Sequence, residues 1–153
     1  MSWHSSRSIE APADAVFRAV ADPVTFQHAV GADPAVQFLS EQRSGTGTRF
    51  RASRVTRGKT MSFDQEVTAY EPVRLVRMIN TTHGVLWEST FEVQPQGAAA
   101  TLTLTMSAAT GNPLKKIMMR LIARMVQRAL DADMDAVKRY VESHSTRSTT
   151  TDT

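Results

Sequence analysis

The sequence predicts an α+β fold in which a curved antiparallel sheet of six to seven strands wraps round a long C-terminal helix, with two short helices after the first strand. The middle of the 153-residue chain alternates apolar and polar residues, which is the period of a half-buried strand. The last third changes to the 3.6-residue period of an amphipathic helix. This length suits one domain, which we place at residues 1–142, followed by a disordered polar tail at residues 143–153.

The first predicted elements are a strand that ends at Ile9 and two short helices. A helix is predicted over Ala13–Ala21. Pro12 fits the start of this helix, because proline is tolerated in the first helical turn. Asp22-Pro23 ends that helix and begins a second one over Val24–Val30.

Further strands follow, separated by short turns that are rich in glycine, proline and polar residues. They are predicted at Val36–Gln42, Thr48–Thr56, Met61–Tyr70, Leu75–Thr81, Val85–Val93 and Ala99–Ser107. Because consecutive strands joined by short turns pair antiparallel, we expect a meander with one solvated face and one apolar face.

The longest predicted element is a helix from Pro113 to about Val141, with Asn112 as its N-cap. Its apolar residues follow helical spacing at Leu114, Ile117, Met118, Leu121, Ile122, Met125, Ala129, Ala132, Ala136 and Tyr140. This helix is long enough to cover the apolar face of the sheet, and such a wrap leaves room for a cavity between them.

Composition and motifs exclude several classes of site. The chain has no cysteine, so disulfides, thiol catalysis and thiolate metal sites are absent. The histidines form no spaced pair of the metalloprotease type and the carboxylates form no catalytic pair, so no catalytic residue, metal or cofactor is predicted. His28 or His83 could act as a base only if the fold brought it to the cavity. No secretory signal or run of roughly 18 apolar residues is present, and we expect a cytoplasmic protein.

Three segments in order resemble the START-like (SRPBCC) superfamily. They are Ile9–Phe17 followed by Ala21-Asp22-Pro23, then Gly45–Phe50, and then Tyr70–Leu75. The chain is most similar to the polyketide cyclase/dehydrase branch, although many members have a second proline where this chain has Val73. The resemblance implies a helix-grip fold with a pocket for an apolar small molecule, and it does not imply catalysis.

Candidate ligand-binding residues are those that would face each other across this pocket. From the sheet they are Phe50, Arg54, Phe63, Gln65, Trp87, Ser89, Phe91, Leu102, Leu104 and Met106, and from the helix Met118, Leu121, Ile122 and Met125. Arg54, Gln65 and Ser89 would orient a carbonyl or hydroxyl group, since burying them without a partner is costly. The alternative is a filled core, with these polar groups at the wet rim of the sheet.

Three functions therefore stay open. The first is binding of a lipid, isoprenoid or polyketide-like molecule, and the second is a polyketide cyclase/dehydrase-type reaction in the same pocket. The third is an interaction module that uses the basic helix face formed by Lys116, Arg120, Arg124 and Arg128. Nucleic acid is not the expected partner, because no aromatic residues interleave with these charges. A homodimer through an unpaired strand edge is left open.

Overall fold

In the computed structural model, which describes residues 1–30, 35–56 and 58–149, a seven-stranded antiparallel sheet faces a long C-terminal helix. The elements are β1 (Ser2–Ile9), α1 (Ala13–Ala21), α2 (Pro23–Ala29), β2 (Ala35–Phe38), β3 (Arg49–Thr56), β4 (Lys59–Glu71), β5 (Leu75–Thr82), β6 (Val85–Gln96), β7 (Ala99–Ala109) and α3 (Pro113–Thr149). The predicted helix-grip architecture is confirmed.

The sheet has the order β1-β7-β6-β5-β4-β3-β2, so every neighbour except the β1–β7 pair is joined by a direct connection. Pairing residues such as Ala52 with Phe63 and Phe91 with Leu104 places them on the same face. The register between β4 and β5 shifts between Val67 and Ala69. Such a bulge bends its strand, and the bend helps to make one face of the sheet concave.

Several polar contacts fasten α3 to the edge strand β1. The indole Nε1 of Trp3 donates a hydrogen bond to the carbonyl oxygen of Ala123 at 3.0 Å. The hydroxyl of Ser5 donates to a carboxylate oxygen of Asp131 at 2.6 Å. The side of α3 that packs against the rest of the protein buries the apolar residues Met119, Leu130, Met134, Val137 and Val141. The core of the molecule lies between this face, α1 and the concave side of the sheet.

The long helix begins as predicted and extends further. The side-chain oxygen of Asn112 accepts a hydrogen bond from the backbone N–H of Leu114 at 2.9 Å, which is an N-cap contact. Instead of ending near Val141, the helix continues to Thr149. The ring of His144 stacks on Tyr140 at 4.0 Å, a local contact that helps this last part of the helix. The predicted disordered tail at 143–153 thus begins inside α3, and its residues 150–153 lie outside the described residues.

Two local features differ from the patterns seen in the sequence. Strand β2 ends at Phe38 and not at Gln42, because the side-chain amide of Gln42 donates to the carbonyl oxygen of Thr46 at 2.7 Å and organises a loop there. Val73 has φ of 67°, a left-handed conformation. Proline is fixed near −65°, so this turn differs from the proline-containing turn of the pattern that it resembles.

Candidate functional site, a cavity between the sheet and the C-terminal helix

A cavity of about 320 Å³ lies between the concave face of the sheet and α3, with α1 and α2 forming one wall. Its volume falls at the lower end of the range of small-molecule sites. The sheet supplies the floor through residues that the pairing register aligns, such as Phe50 with Gln65 and Met78 with Ser89. The antiparallel alternation thus turns one side of five consecutive strands, β3 to β7, into a continuous lining.

Most of the sheet residues that the sequence singled out lie against this cavity. They are Phe50, Arg54, Phe63, Gln65, Trp87, Ser89, Phe91, Leu104 and Met106. Leu102 is fully buried in the core and does not line the cavity. Two aromatic contacts hold the lining in place. The rings of Trp87 and Trp3 are stacked with their centroids 5.9 Å apart, and the rings of Phe26 in α2 and Phe91 pack edge to face with centroids 5.6 Å apart.

The helix residues that the sequence singled out do not line this cavity. Leu121 is 81% exposed, Met118 and Met125 are also exposed, and Ile122 does not line the cavity. The helix wall consists of Val126, Ala129, Leu130 and Asp133. The first half of α3 carries apolar residues on two opposite faces, and the sequence pattern selected the one with the larger residues.

An arginine and an aspartate form a pair in the cavity wall. Two nitrogen atoms of the Arg54 guanidinium donate to the two carboxylate oxygens of Asp133 at 3.4 and 3.2 Å. Burial raises the pKa of the Asp133 carboxyl, and the charge of Arg54 and its hydrogen bond oppose that rise. The pair therefore presents a guanidinium and a carboxyl group to the lining, and both can hydrogen-bond polar groups of a ligand.

The cavity also contains a polar side chain whose oxygen atom has no hydrogen-bond partner. Gln27 of α2 is 4% exposed and lines the cavity, and its side-chain oxygen Oε1 forms no hydrogen bond. Leaving such an acceptor buried without a donor costs about 1–3 kcal/mol. A hydroxyl or N–H group of a ligand, or a water molecule, would relieve that cost.

Among the polar lining residues, sequence reasoning missed Gln27, Asn80 and Asp133. Asn80 could have been found, because it follows Met78 on the same face of β5. The other two had no usable signal. Gln27 lies in a helix of seven residues, and Asp133 lies on a helix whose buried face was misassigned.

The two histidines considered as possible bases lie elsewhere. His28 and His83 do not line the cavity. Among the described residues, no group of three or more histidine, aspartate or glutamate side chains is arranged to hold a metal ion. The arrangement is that of an apolar cavity with a few fixed hydrogen-bonding groups, which can bind and orient a ligand.

Comparison with known proteins agrees with this geometry. The family model described as polyketide cyclase/dehydrase and lipid transport matches residues 2–142, which bears out the resemblance seen in the sequence. A comparison with curated protein sequences gives no match.

Solved structures share the fold at low sequence identity. The protein TTHA0849 from Thermus thermophilus is 19% identical with a TM-score of 0.75, covering 95% of this chain and 99% of that one. The di-domain ARO/CYC protein BexL from the BE-7585A biosynthetic pathway is 20% identical with a TM-score of 0.78, covering 93% of this chain and 46% of BexL. A norcoclaurine synthase point mutant from Thalictrum flavum is 16% identical with a TM-score of 0.70, covering 94% of this chain and 95% of the synthase.

Proposed function

This chain belongs to the polyketide cyclase/dehydrase and lipid transport family, and we propose that its cavity binds an amphipathic small molecule of the lipid, isoprenoid or polyketide-like class. The observation that carries the proposal is the unpartnered Oε1 of Gln27 inside a mostly apolar lining. A purely apolar ligand would leave this acceptor unsatisfied, whereas a ligand with a hydroxyl group would hydrogen-bond it and bury its chain against the aromatic residues.

The Arg54–Asp133 pair, carried by other elements of the fold, supports the same class of ligand. Arg54 comes from the sheet and Asp133 from α3, so their position differs from that of Gln27 on α2. A ligand with oxygen atoms at more than one position, as in a polyketide, would find hydrogen-bonding groups on separate walls. A simple hydrocarbon has no polar atom and would form no hydrogen bond with any of these groups.

Native mass spectrometry with a panel of fatty acids, isoprenoid alcohols and aromatic polyketides tests this proposal. Ser89→Trp places a large ring in the cavity, and Ser62→Trp places the same ring on the exposed outer face of the sheet as a matched control. We expect adducts on the wild type and on Ser62→Trp, and loss of adducts on Ser89→Trp with an unchanged circular dichroism spectrum. A wild type that stays empty across the panel, or adducts that persist on Ser89→Trp, would contradict it.

The role of Gln27 has a more specific test. Gln27→Leu removes the acceptor and keeps a side chain of similar size. We expect an isoprenoid alcohol to bind about tenfold more weakly to this variant, while the corresponding hydrocarbon binds equally well or better. Equal weakening of both ligands would mean that the substitution only disturbs packing.

A proton-transfer reaction is the second candidate function, and the raised pKa of Asp133 favours it. The carboxylate would take a proton from the carbon next to a ligand carbonyl, and the electrons of that C–H bond would form an enolate held by Arg54. Hydrogen–deuterium exchange at that carbon of a bound 1,3-diketone measures the step. We expect Asp133→Asn to abolish catalysed exchange while binding persists. If the wild type catalyses no exchange, the chain is a binding protein only.

A further inference from the structure

The first half of α3 exposes a continuous row of large apolar side chains. We call this row the outer stripe; it consists of Leu114, Ile117, Met118, Leu121 and Met125, whose side chains are all exposed. At 3.6 residues per turn they fall within an arc of about 100°. Single exposed leucines are ordinary, but a contiguous patch of this kind marks an interaction surface.

The core does not account for the outer stripe. The inward face of the same part of the helix is formed by buried Met119 and Leu130 and partly buried Val126, which lie on average about 150° round the helix from the stripe. Tilting or rotating α3 to bury the stripe would therefore expose the residues that now close the cavity. The helix is apolar on two opposite faces, and within the described residues one of them has no cover.

Basic side chains border the outer stripe on one side. We call them the basic flank; it consists of Lys116, Arg120, Arg124 and Arg128, which are all exposed. From Pro113 to Leu130 the helix contains no aspartate or glutamate. None of these cations forms an ion pair in the part of the chain that the structure describes. Their charge is therefore available to an anionic partner.

The surface adjoins the cavity. Ala129, which lines the cavity and is itself exposed, follows Met125 by one helical turn. On the sheet side of the cavity, exposed Met61 is paired in register with the cavity residue Arg54. Exposed apolar side chains from α3 and from the β3–β4 hairpin thus neighbour residues that line the cavity.

We propose that the outer stripe and the basic flank dock this protein onto an anionic lipid bilayer. The apolar side chains would enter the boundary between headgroups and acyl chains, and the basic flank would contact the anionic headgroups. No helix among the described residues is apolar enough over a sufficient length to cross a bilayer, so α3 would lie in the plane of the interface.

Charge decides between a bilayer and other partners. In a symmetric contact with a second copy, the basic flanks of the two helices would add unpaired positive charge to one interface. Nucleic acid would satisfy the cations but leave the apolar stripe in water, and no aromatic side chain stands between the charges for stacking. An anionic bilayer satisfies both features together. The proposal does not depend on the cavity being occupied.

Vesicle co-sedimentation of the full chain tests the proposal. We expect binding to vesicles of phosphatidylcholine mixed with phosphatidylserine, weak binding to phosphatidylcholine alone, and a decline with added salt. Leu121→Ser should weaken binding by about tenfold, because one apolar side chain no longer enters the bilayer. Leu86→Ser removes an exposed leucine from the sheet and should have no effect.

A charge variant tests the basic flank independently. Reversing two charges in Arg120→Glu with Arg124→Glu should weaken binding to the anionic vesicles by more than about tenfold, whereas Arg18→Glu on α1 should change it little. Leu121→Trp, which keeps an apolar side chain, should bind normally and shift its fluorescence to the blue on anionic vesicles. This readout remains informative if a serine variant is unstable.

Several results would overturn the proposal. Absence of binding to either vesicle would do so, as would binding that Leu121→Ser and the paired charge reversal leave unchanged. A dimer in light scattering that Leu121→Ser converts to a monomer, without vesicle binding, would assign the stripe to self-association. Binding to RNA without binding to vesicles would assign the basic flank to nucleic acid.

Discussion

The Arg54–Asp133 pair allows a prediction whose size and pH dependence both follow from its geometry. The closest approach is 3.2 Å, and at an effective dielectric constant of about 20 this corresponds to a gross attraction of about 5 kcal/mol. The side chains remain 33% and 29% exposed, so solvent screening and the cost of desolvation offset most of it. We expect a net coupling free energy of about 1–2 kcal/mol at neutral pH.

Arg54→Met should therefore lower the free energy of unfolding, and the loss should depend on pH. The pKa of Asp133 in the folded protein is already raised, and removing Arg54 takes away the group that holds it down. A raised carboxyl pKa contributes stability that is present below the unfolded pKa and is lost as pH rises through the folded pKa. The deficit of Arg54→Met relative to wild type should thus be small at low pH and largest at neutral pH.

Urea unfolding of the wild type, Arg54→Met, Asp133→Asn and the double variant, repeated from acidic to neutral pH, measures this coupling. The Arg51–Asp64 pair on the exposed face of the same β3–β4 hairpin is the control, with a 2.7 Å contact in open solvent. We expect a smaller coupling there. A deficit of Arg54→Met that is the same at every pH would refute the electrostatic reasoning and indicate lost packing.

Three further predictions use the same unfolding assay. Met134→Ala should cost about 2–5 kcal/mol because Met134 is fully buried, whereas Met125→Ala on the exposed face should change stability little; equal effects would contradict the assigned helix face. Trp3→Phe should cost about 1 kcal/mol by removing the hydrogen bond to Ala123, and an unchanged stability would mean that water replaces it. Gln27→Leu should leave the unliganded protein equally or more stable, because it removes a buried acceptor without a donor; a large loss would indicate a partner for that oxygen.

The sheet residues of the site could be predicted from the sequence, because alternation along a strand determines which side chains share one face of the sheet. Phe63 and Gln65 alternate with charged neighbours, so their common face followed from the period of two. The bulge between Val67 and Ala69 could not be predicted from the alternation of residues along β4. It arises from the pairing of β4 with β5, which no single strand encodes.

The α3 residues that line the cavity could not be predicted from the sequence, because a hydrophobic pattern identifies an apolar helix face but does not show which part of the protein packs against it. The outer stripe contains larger apolar residues than the face formed by Met119, Ala123 and Val126, so hydrophobicity alone favoured the stripe. The true face is set by contacts distant in sequence. The indole of Trp3 donates a hydrogen bond to the carbonyl of Ala123, one of several polar contacts that together set how α3 is rotated against β1.

The two faces of α3 connect the two proposals by geometry. The helix cannot release its buried face without opening the cavity, because Val126, Leu130 and Asp133 form the cavity wall. A bilayer that binds the outer stripe would hold the opposite side of the same turns, next to Ala129 at the cavity surface. Ligand binding without vesicle binding would indicate a carrier or an enzyme for a dissolved molecule. Loss of ligand uptake from vesicles in Leu121→Ser, a variant outside the cavity that still binds the ligand in solution, would indicate that the ligand reaches the cavity from the membrane.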